Sequence, residues 1–393
     1  MAHHTAEILA ATQRILPEII GVRRHLHRNP ELSGHEKETA ALVANHLTAW
    51  GLEEVQVGVG GHGVTGVLGN PLDGPMLALR ADMDALPIQE TGGLPYQSCK
   101  AGVMHACGHD GHTATLLGAA HVLSEMREQL TGPIRFLFQP AEETIGGAES
   151  MIAAGALENV KSIIALHGWP NLEIGQIGLR SGPMMASADT FDLTVRGKGG
   201  HAAYPHTTVD PIVVGSLIVQ ALQTISSREI SPLDSVVVTV TQFHAGTAYN
   251  VIPGAAELKG TVRCLSAAIR DEMPPRMERI VAGICAAFRA DYTLSYERGT
   301  PVVVNDAAMI AKIEAAGAEV LGSENVRYLE TPTMGAEDFA FYLEKVPGAM
   351  FRLGVGTEVS ALHTPTYNFS DGALPHGIAL LASLAMRGRN ETK

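Results

Sequence analysis

Apolar residues fall at Ile8, Ile15, Ile19 and Val22, near helical spacing, so the chain opens on an amphipathic helix. Beyond it, the apolar β-rich runs Val64–Leu68, Met76–Arg80, Ile134–Phe138 and Ser162–His167 predict strands. Glu36–Trp50 and Thr113–Gln129 carry helical patterns between them. Continuous apolar strands alternating with helices predict an α/β domain with a buried, mostly parallel sheet. In such a sheet, chemistry belongs on the loops at the carboxyl ends of strands.

The rhythm changes near Ala188. Thr190–Val195 is a predicted strand. A helix follows to about Ser227, with Asp210 as N-cap and Pro211 at the first helical position. Val236–Phe243 and Ala255–Cys264 are successive strands. Ser266–Arg289 is a helix that Pro274-Pro275 should interrupt or delay. Asp291–Glu297 is a strand. The order β-α-β-β-α-β is the ferredoxin-like split pattern. Helix Asp306–Leu321 and strand Met350–Gly354 then return to the first character. A larger domain of residues 1–186 and 298–393, interrupted by an inserted domain of residues 187–297, is the simplest layout.

Composition narrows the function. At about 150 residues per domain, a chain of 393 residues suits such a layout. With 46% hydrophobic and 18% charged residues, disorder and coiled coil are excluded. A net charge of −13 and a pI near 5.7 argue against a nucleic-acid surface. Cys99, Cys107, Cys264 and Cys285 form no C-x-x-C pair, and a chain of this size needs no disulfide. The N-terminus does not read as a signal peptide. The best apolar run, Ile378–Met386, is too short for a membrane span. A soluble, reducing, cytoplasmic location is expected. The 17 histidines are scattered and point to metal or proton chemistry, or to chance.

Position decides between those alternatives. His105-Ala-Cys107-Gly-His109-Asp110-Gly-His112 packs imidazoles, a thiol and a carboxylate among small residues. Such a loop folds tightly, and its donors suit borderline transition metals. A polar loop around one buried cysteine is the other reading, but the apolar helix behind it does not require one. The strand Phe136–Gln139 ends in Pro140-Ala141, followed by Glu142-Glu143. Adjacent carboxylates on irregular backbone point apart and resist joint ionisation without cations nearby; acids at a helix N-terminus are the plainer account. His167 ends an apolar strand, and His363 lies late in the chain; each alone is weak. Asp82 and Asp84 end another strand and would orient metal-bound histidines. His201 lies in a glycine-rich turn. Asn250 and Arg263 put an amide and a guanidinium on neighbouring strands, and Arg263 suits bidentate carboxylate binding.

Taken together, ADMDALP, MHACGHDGHTA, FQPAEE, ALHGWP, GKGGHAAYPH, NVIP, GTVR, MGAEDFAFY and LHTPTYNF run in this order over nearly the whole chain. The sequence resembles the dinuclear metallo-amidohydrolases that include aminoacylases, hippurate hydrolases and indole-acetyl-amino-acid hydrolases. The resemblance implies a zinc-peptidase-like α/β catalytic domain with an inserted lid or dimerisation domain. It implies metal ligation by Cys107, His109, Glu143, His167 and His363, with Cys107 bridging two divalent ions. Manganese is the expected metal, with zinc, cobalt and nickel suited to the same ligands. Glu142 becomes the general base and His201 the group that stabilises the oxyanion, often in the partner subunit's site. Asn250 and Arg263 hold the substrate carboxylate. Many peptidases of this fold carry His-x-Asp where this chain has Asp82-Met83-Asp84, so Asp82 is not assigned as a ligand and Asp84 sits behind one. The implied reaction is hydrolysis of N-acyl-L-amino acids such as hippurate or N-acetyl conjugates, by a homodimer or homotetramer. A dipeptidase or carboxypeptidase is the rival within the same bond chemistry.

Overall fold

The computed structural model describes residues 2–70, 74–144 and 146–387. Its elements in chain order are α1 (Ala2–Arg28), α2 (Lys37–Ala49), β1 (Glu53–Val59), β2 (Gly63–Leu68), β3 (Met76–Asp82), α3 (His109–Glu125), β4 (Ile134–Gln139), α4 (Gly147–Ala153), β5 (Val160–Trp169) and β6 (Ile177–Leu179). There follow β7 (Gly182–Met185), β8 (Ala188–Arg196), β9 (Gly200–His201), α5 (Pro211–Thr224), β10 (Val236–Ala245), β11 (Val251–Ile252), β12 (Ala255–Cys264), α6 (Ala267–Phe288) and β13 (Asp291–Thr300). The last are β14 (Val303–Asn305), α7 (Ala307–Leu321), β15 (Val326–Tyr328), α8 (Ala340–Leu343), β16 (Gly348–Gly354) and α9 (Leu374–Arg387). The chain forms two compact units. One is Met1–Gly182 with Val304–Glu330 and Asp338–Lys393; the other is Pro183–Val303 with Thr331–Glu337.

In the larger unit, one sheet runs in the order β1-β2-β4-β3-β5-β16-β6-β15. Its centre, β4-β3-β5-β16, is parallel. The β1–β2, β2–β4 and β16–β6 pairings are antiparallel. The central strands are buried on both faces, which is why they appear as unbroken apolar runs. Strand β1 is mostly exposed and breaks that pattern, so its sequence carries no core signature. Ile8, Ile15, Ile19 and Val22 of α1 are buried as their spacing predicts. Helix α3 is buried along nearly its whole length, packed by α1 and α9.

The smaller unit is an antiparallel sheet in the order β10-β12-β8-β13, with α5 and α6 packed on it. Asp210 caps α5 through its side chain, which accepts from the Ile212 amide. One expectation is corrected. Helix α6 runs unbroken through Pro274 and Pro275. Ser266 caps it, and Met273, Met277, Ile280, Val281 and Cys285 are buried in the core of this unit, which offsets the hydrogen bonds the prolines cannot donate. No described helix is long and apolar enough to cross a membrane. All four cysteines are free.

Candidate metal centre

The parallel register brings strand ends together: Asp82 of β3 lies beside Gln139 of β4, and His167 of β5 beside Arg352 of β16. Cys107 sits just before α3, and His109 is the first residue of that helix. Gly108 makes the turn between them at φ 88°, a left-handed conformation that favours glycine. A Cβ at Gly111 would fall 2.2 Å from the Phe369 ring, so the first turn of α3 is pressed against that ring. The loop is therefore tightly packed, because its small residues admit close approach.

Cys107, His109 and His167 converge, each offering one donor atom, all within 4.8 Å of one another. Cys107, Glu143 and His363 form a second such group, and His109, Glu142 and Glu143 a third. Cys107 Sγ is 3.5 Å from His167 Nε2 and 3.4 Å from His363 Nε2. Tetrahedral N and S ligands around zinc lie about 3.5 Å apart. His109 Nε2 and Glu143 Oε1 face each other at 3.9 Å, and neither buried atom takes a hydrogen bond. Orphaned lone pairs around a thiol and imidazoles fit divalent cations.

Neighbouring groups fix the histidine tautomers. His109 Nδ1 donates to the Asp84 carbonyl at 2.9 Å and to Asp84 Oδ1 at 3.2 Å, which leaves the Nε2 lone pair for the cluster. His167 Nδ1 donates to the Gly168 carbonyl at 2.8 Å, with the same effect. Asp84 also accepts the amides of Glu142 at 3.2 Å and Glu143 at 3.0 Å. His112, which the sequence left without a role, accepts the Gly168 amide on Nε2 at 2.7 Å and donates from Nδ1 to Asp82 at 2.7 Å. Both its nitrogens are engaged, so it supports the backbone beside His167. Beneath lies a buried lattice: Arg80 donates to Asp82, Gln139 and Asp338, and Gln139 donates to Asp338. Residues so far apart in the chain leave no local signal of this lattice.

Two residues adopt left-handed backbone at the cluster, Ala141 at φ 52° and His363 at φ 62°. Such conformations cost free energy and persist where the surroundings impose them. The His363 amide donates to the Ala106 carbonyl at 2.8 Å, tying it beside Cys107.

Electrostatics match the donor set. Burial, reinforced by the Glu143 carboxylate, raises the Cys107 thiol well above its ordinary range. Burial disfavours charge on His109, but Asp82 and Cys107 outweigh it and raise the imidazole. Burial, aided by the neighbouring His112, lowers His167 well below the usual imidazole range. A cation reverses this logic by drawing the thiolate and neutral imidazoles.

In the smaller unit, His201 on β9 pairs with Val251 on β11, and the Ala202 amide donates to the Asn250 carbonyl at 3.0 Å. His201 and Asn250 are therefore neighbours. His201 is exposed, and its Nδ1 accepts the Ala203 amide at 3.1 Å, leaving Nε2–H as a donor. Arg263 is half-buried near the other end of β12, opposite Val237. That position is on the order of 25 Å along the strand from the end that β11 enters. Among the described residues the Arg263 side chain makes no hydrogen bond or ion pair, though Asp189 lies near enough to attract it. One smaller unit thus brings His201 to Asn250 but not to Arg263.

A parallel-centred α/β sheet with transition-metal donors at its strand ends defines a metallohydrolase architecture. Residues 78–387 match Peptidase family M20/M25/M40, and the chain belongs to that family. It is 41% identical to an N-acetylcysteine deacetylase of Bacillus subtilis, across 94% of this chain and 96% of that one. It is 39% identical to thermostable carboxypeptidase 2 of Saccharolobus solfataricus, across 95% and 96%. The crystal structure of Bacillus subtilis YXEP protein, a dinuclear metal binding peptidase of the M20 family, superposes with a TM-score of 0.85 at 35% identity, covering 95% and 98%. The chain is an enzyme, an amidohydrolase of this family.

Proposed function

We propose that the protein hydrolyses the amide bond of N-acyl-L-amino acids, releasing a carboxylic acid and a free amino acid. The carrying observation is the convergence of Cys107, His109, Glu143, His167 and His363 with Glu142 beside them. Those five residues would hold two divalent ions, manganese first, which supply Lewis acidity and an acidified water when bound. Glu142 takes a proton from the attacking water on its carboxylate and returns it to the departing amine nitrogen. Its Oε1 is held by the Asp338 amide at 3.4 Å, which keeps the other oxygen toward the cluster. His201 donates from Nε2 to the carbonyl oxygen as negative charge develops there. Arg263 and Asn250 bind the amino-acid carboxylate and align the scissile bond, Asn250 arriving with His201 from the other subunit because one smaller unit holds it far from Arg263.

The separation of Arg263 from His201 supports a shared arrangement, in which the smaller unit serves as lid and dimerisation domain and His201 completes the partner's site in a homodimer or homotetramer. The deacetylase relative favours N-acyl amino acids; the carboxypeptidase relative keeps peptides as the second reading, because both substrates present an amide beside a free carboxylate. The test is a hydrolysis screen of N-acetyl and N-benzoyl amino acids against dipeptides with manganese-loaded protein, run beside Glu142→Gln. The acyl amino acids should be cleaved best, and Glu142→Gln should keep its metal and lose most turnover. Faster cleavage of dipeptides transfers the assignment to a peptidase, and normal turnover in Glu142→Gln removes that residue as the base.

A further inference from the structure

The segment before α2 straps the metal loops. The Ala85 amide donates to the Glu31 carbonyl at 2.8 Å, and Leu32 bridges Ala85 in parallel. Ser33 Oγ donates to Asp84 Oδ2 at 2.6 Å. Glu31 caps α2 by accepting the amides of Glu38 at 3.2 Å and Thr39 at 2.8 Å. Glu36 occupies the N-cap position, yet its side chain caps nothing in its own helix. Its buried Oε1 accepts instead the Gly34 amide at 2.9 Å and, 105 residues away in the chain, the Ala141 amide at 2.8 Å.

Three consecutive amides, those of Ala141, Glu142 and Glu143, are thus accepted by two carboxylates, Glu36 and Asp84. Ala141 is the residue held at φ 52°. A left-handed alanine is unfavourable in isolation and needs a strong local partner. A buried carboxyl oxygen accepting its own amide is such a partner, because that N–H would otherwise lack an acceptor.

We propose that Glu36 is a positioning residue for Glu142: its hydrogen bond to Ala141 imposes the left-handed turn that aims the Glu142 carboxylate at the cluster. This rests on Glu142 acting as the proton acceptor. Asp84 still holds the amides of Glu142 and Glu143 when Glu36 is lost, so the change falls on the turn at Ala141 and the aim of the Glu142 side chain, while Glu143, one residue further from that turn, stays in place.

Three variants test it. Glu36→Met fills the same volume without an acceptor. Glu36→Gln restores a neutral one. Glu36→Asp keeps the charge but is one methylene short. Met should lower kcat by tenfold to about a hundredfold, the cost of a small misplacement of a reacting group, with KM and metal content unchanged. Gln should recover most of that loss. Where Met fails to fold, Asp carries the test and should show the same fall in kcat. In the Glu142→Gln background, Glu36→Met should cause no further loss, since both act through one group. Wild-type kcat per metal-loaded site in Met or Asp, equal losses in Met and Gln, or an unchanged additional loss in the Glu142→Gln background each overturns the proposal. Full activity in Glu142→Gln alone is a different failure, of the catalytic reading itself.

Discussion

Asp84→Asn keeps the size of the side chain and turns one of its two acceptor oxygens into a donor. In the native protein Oδ1 accepts from His109 Nδ1 and the Glu142 amide, and Oδ2 from Ser33 Oγ and the Glu143 amide. An amide satisfies only one of these pairs. With its oxygen toward Ser33 and Glu143, its NH2 confronts His109 Nδ1–H and the Glu142 amide; the ring keeps the Asp84 carbonyl as acceptor but loses the side chain that also orients it, and the Glu142 amide loses its partner. With its oxygen toward His109, the Ser33 hydroxyl can turn to accept, but the Glu143 amide is orphaned beside a ligand. Either choice disturbs a donor, and loss of such an orienting partner costs roughly 10- to 100-fold in metal affinity, or about 1.4–2.7 kcal/mol. Competition titration of the metal-free variant against a chromogenic chelator reads this directly, with circular dichroism as the folding control. Affinity within about threefold of wild type would show that the Asp84 side chain does not orient the donors around it.

Cys107→Ala should carry less bound metal than wild type by elemental analysis of the purified protein; full occupancy contradicts a bridging thiolate. His27 is buried between Asp110 and Glu90, and its imidazole is raised to about 9 although burial itself opposes the charge. Because the folded value exceeds the ordinary 6.5, this contribution is complete below about pH 6.5 and is lost as pH rises through about 9, an amount on the order of 3 kcal/mol. The unfolding midpoint should therefore fall more steeply between pH 7 and pH 10 in wild type than in His27→Gln; parallel curves refute the charged His27.

The buried parallel strands were legible because burial on both faces leaves an apolar run, and the densest donor loop because cysteine and histidines crowd eight residues between glycines. Strand β1 was not, since an exposed edge lacks that pattern. The unbroken course of α6 was not either: a proline pair is a strong local signal, and only the tertiary packing of Met277 and Val281 overrules it. Among site residues, Glu142 and Glu143 stood out as a pair, whereas Glu36 did not. A glutamate before a helix has an ordinary local explanation, and its actual partner is an amide far along the chain.

The position of β16 bears on how the protein matures. This strand lies between β5 and β6 in the larger sheet, and His363 follows it. On the ribosome, the sheet stays divided into two blocks until residue 354 has emerged, and the fifth donor arrives later still. The smaller unit is nearly contiguous, Pro183–Val303, and is free to fold earlier during synthesis. On the proposed ligand set, metal loading would thus be a late event in the life of the polypeptide. A nascent or C-terminally truncated chain would display Cys107, His109 and His167 as an incomplete chelator, exposed to whichever soft cation is most abundant.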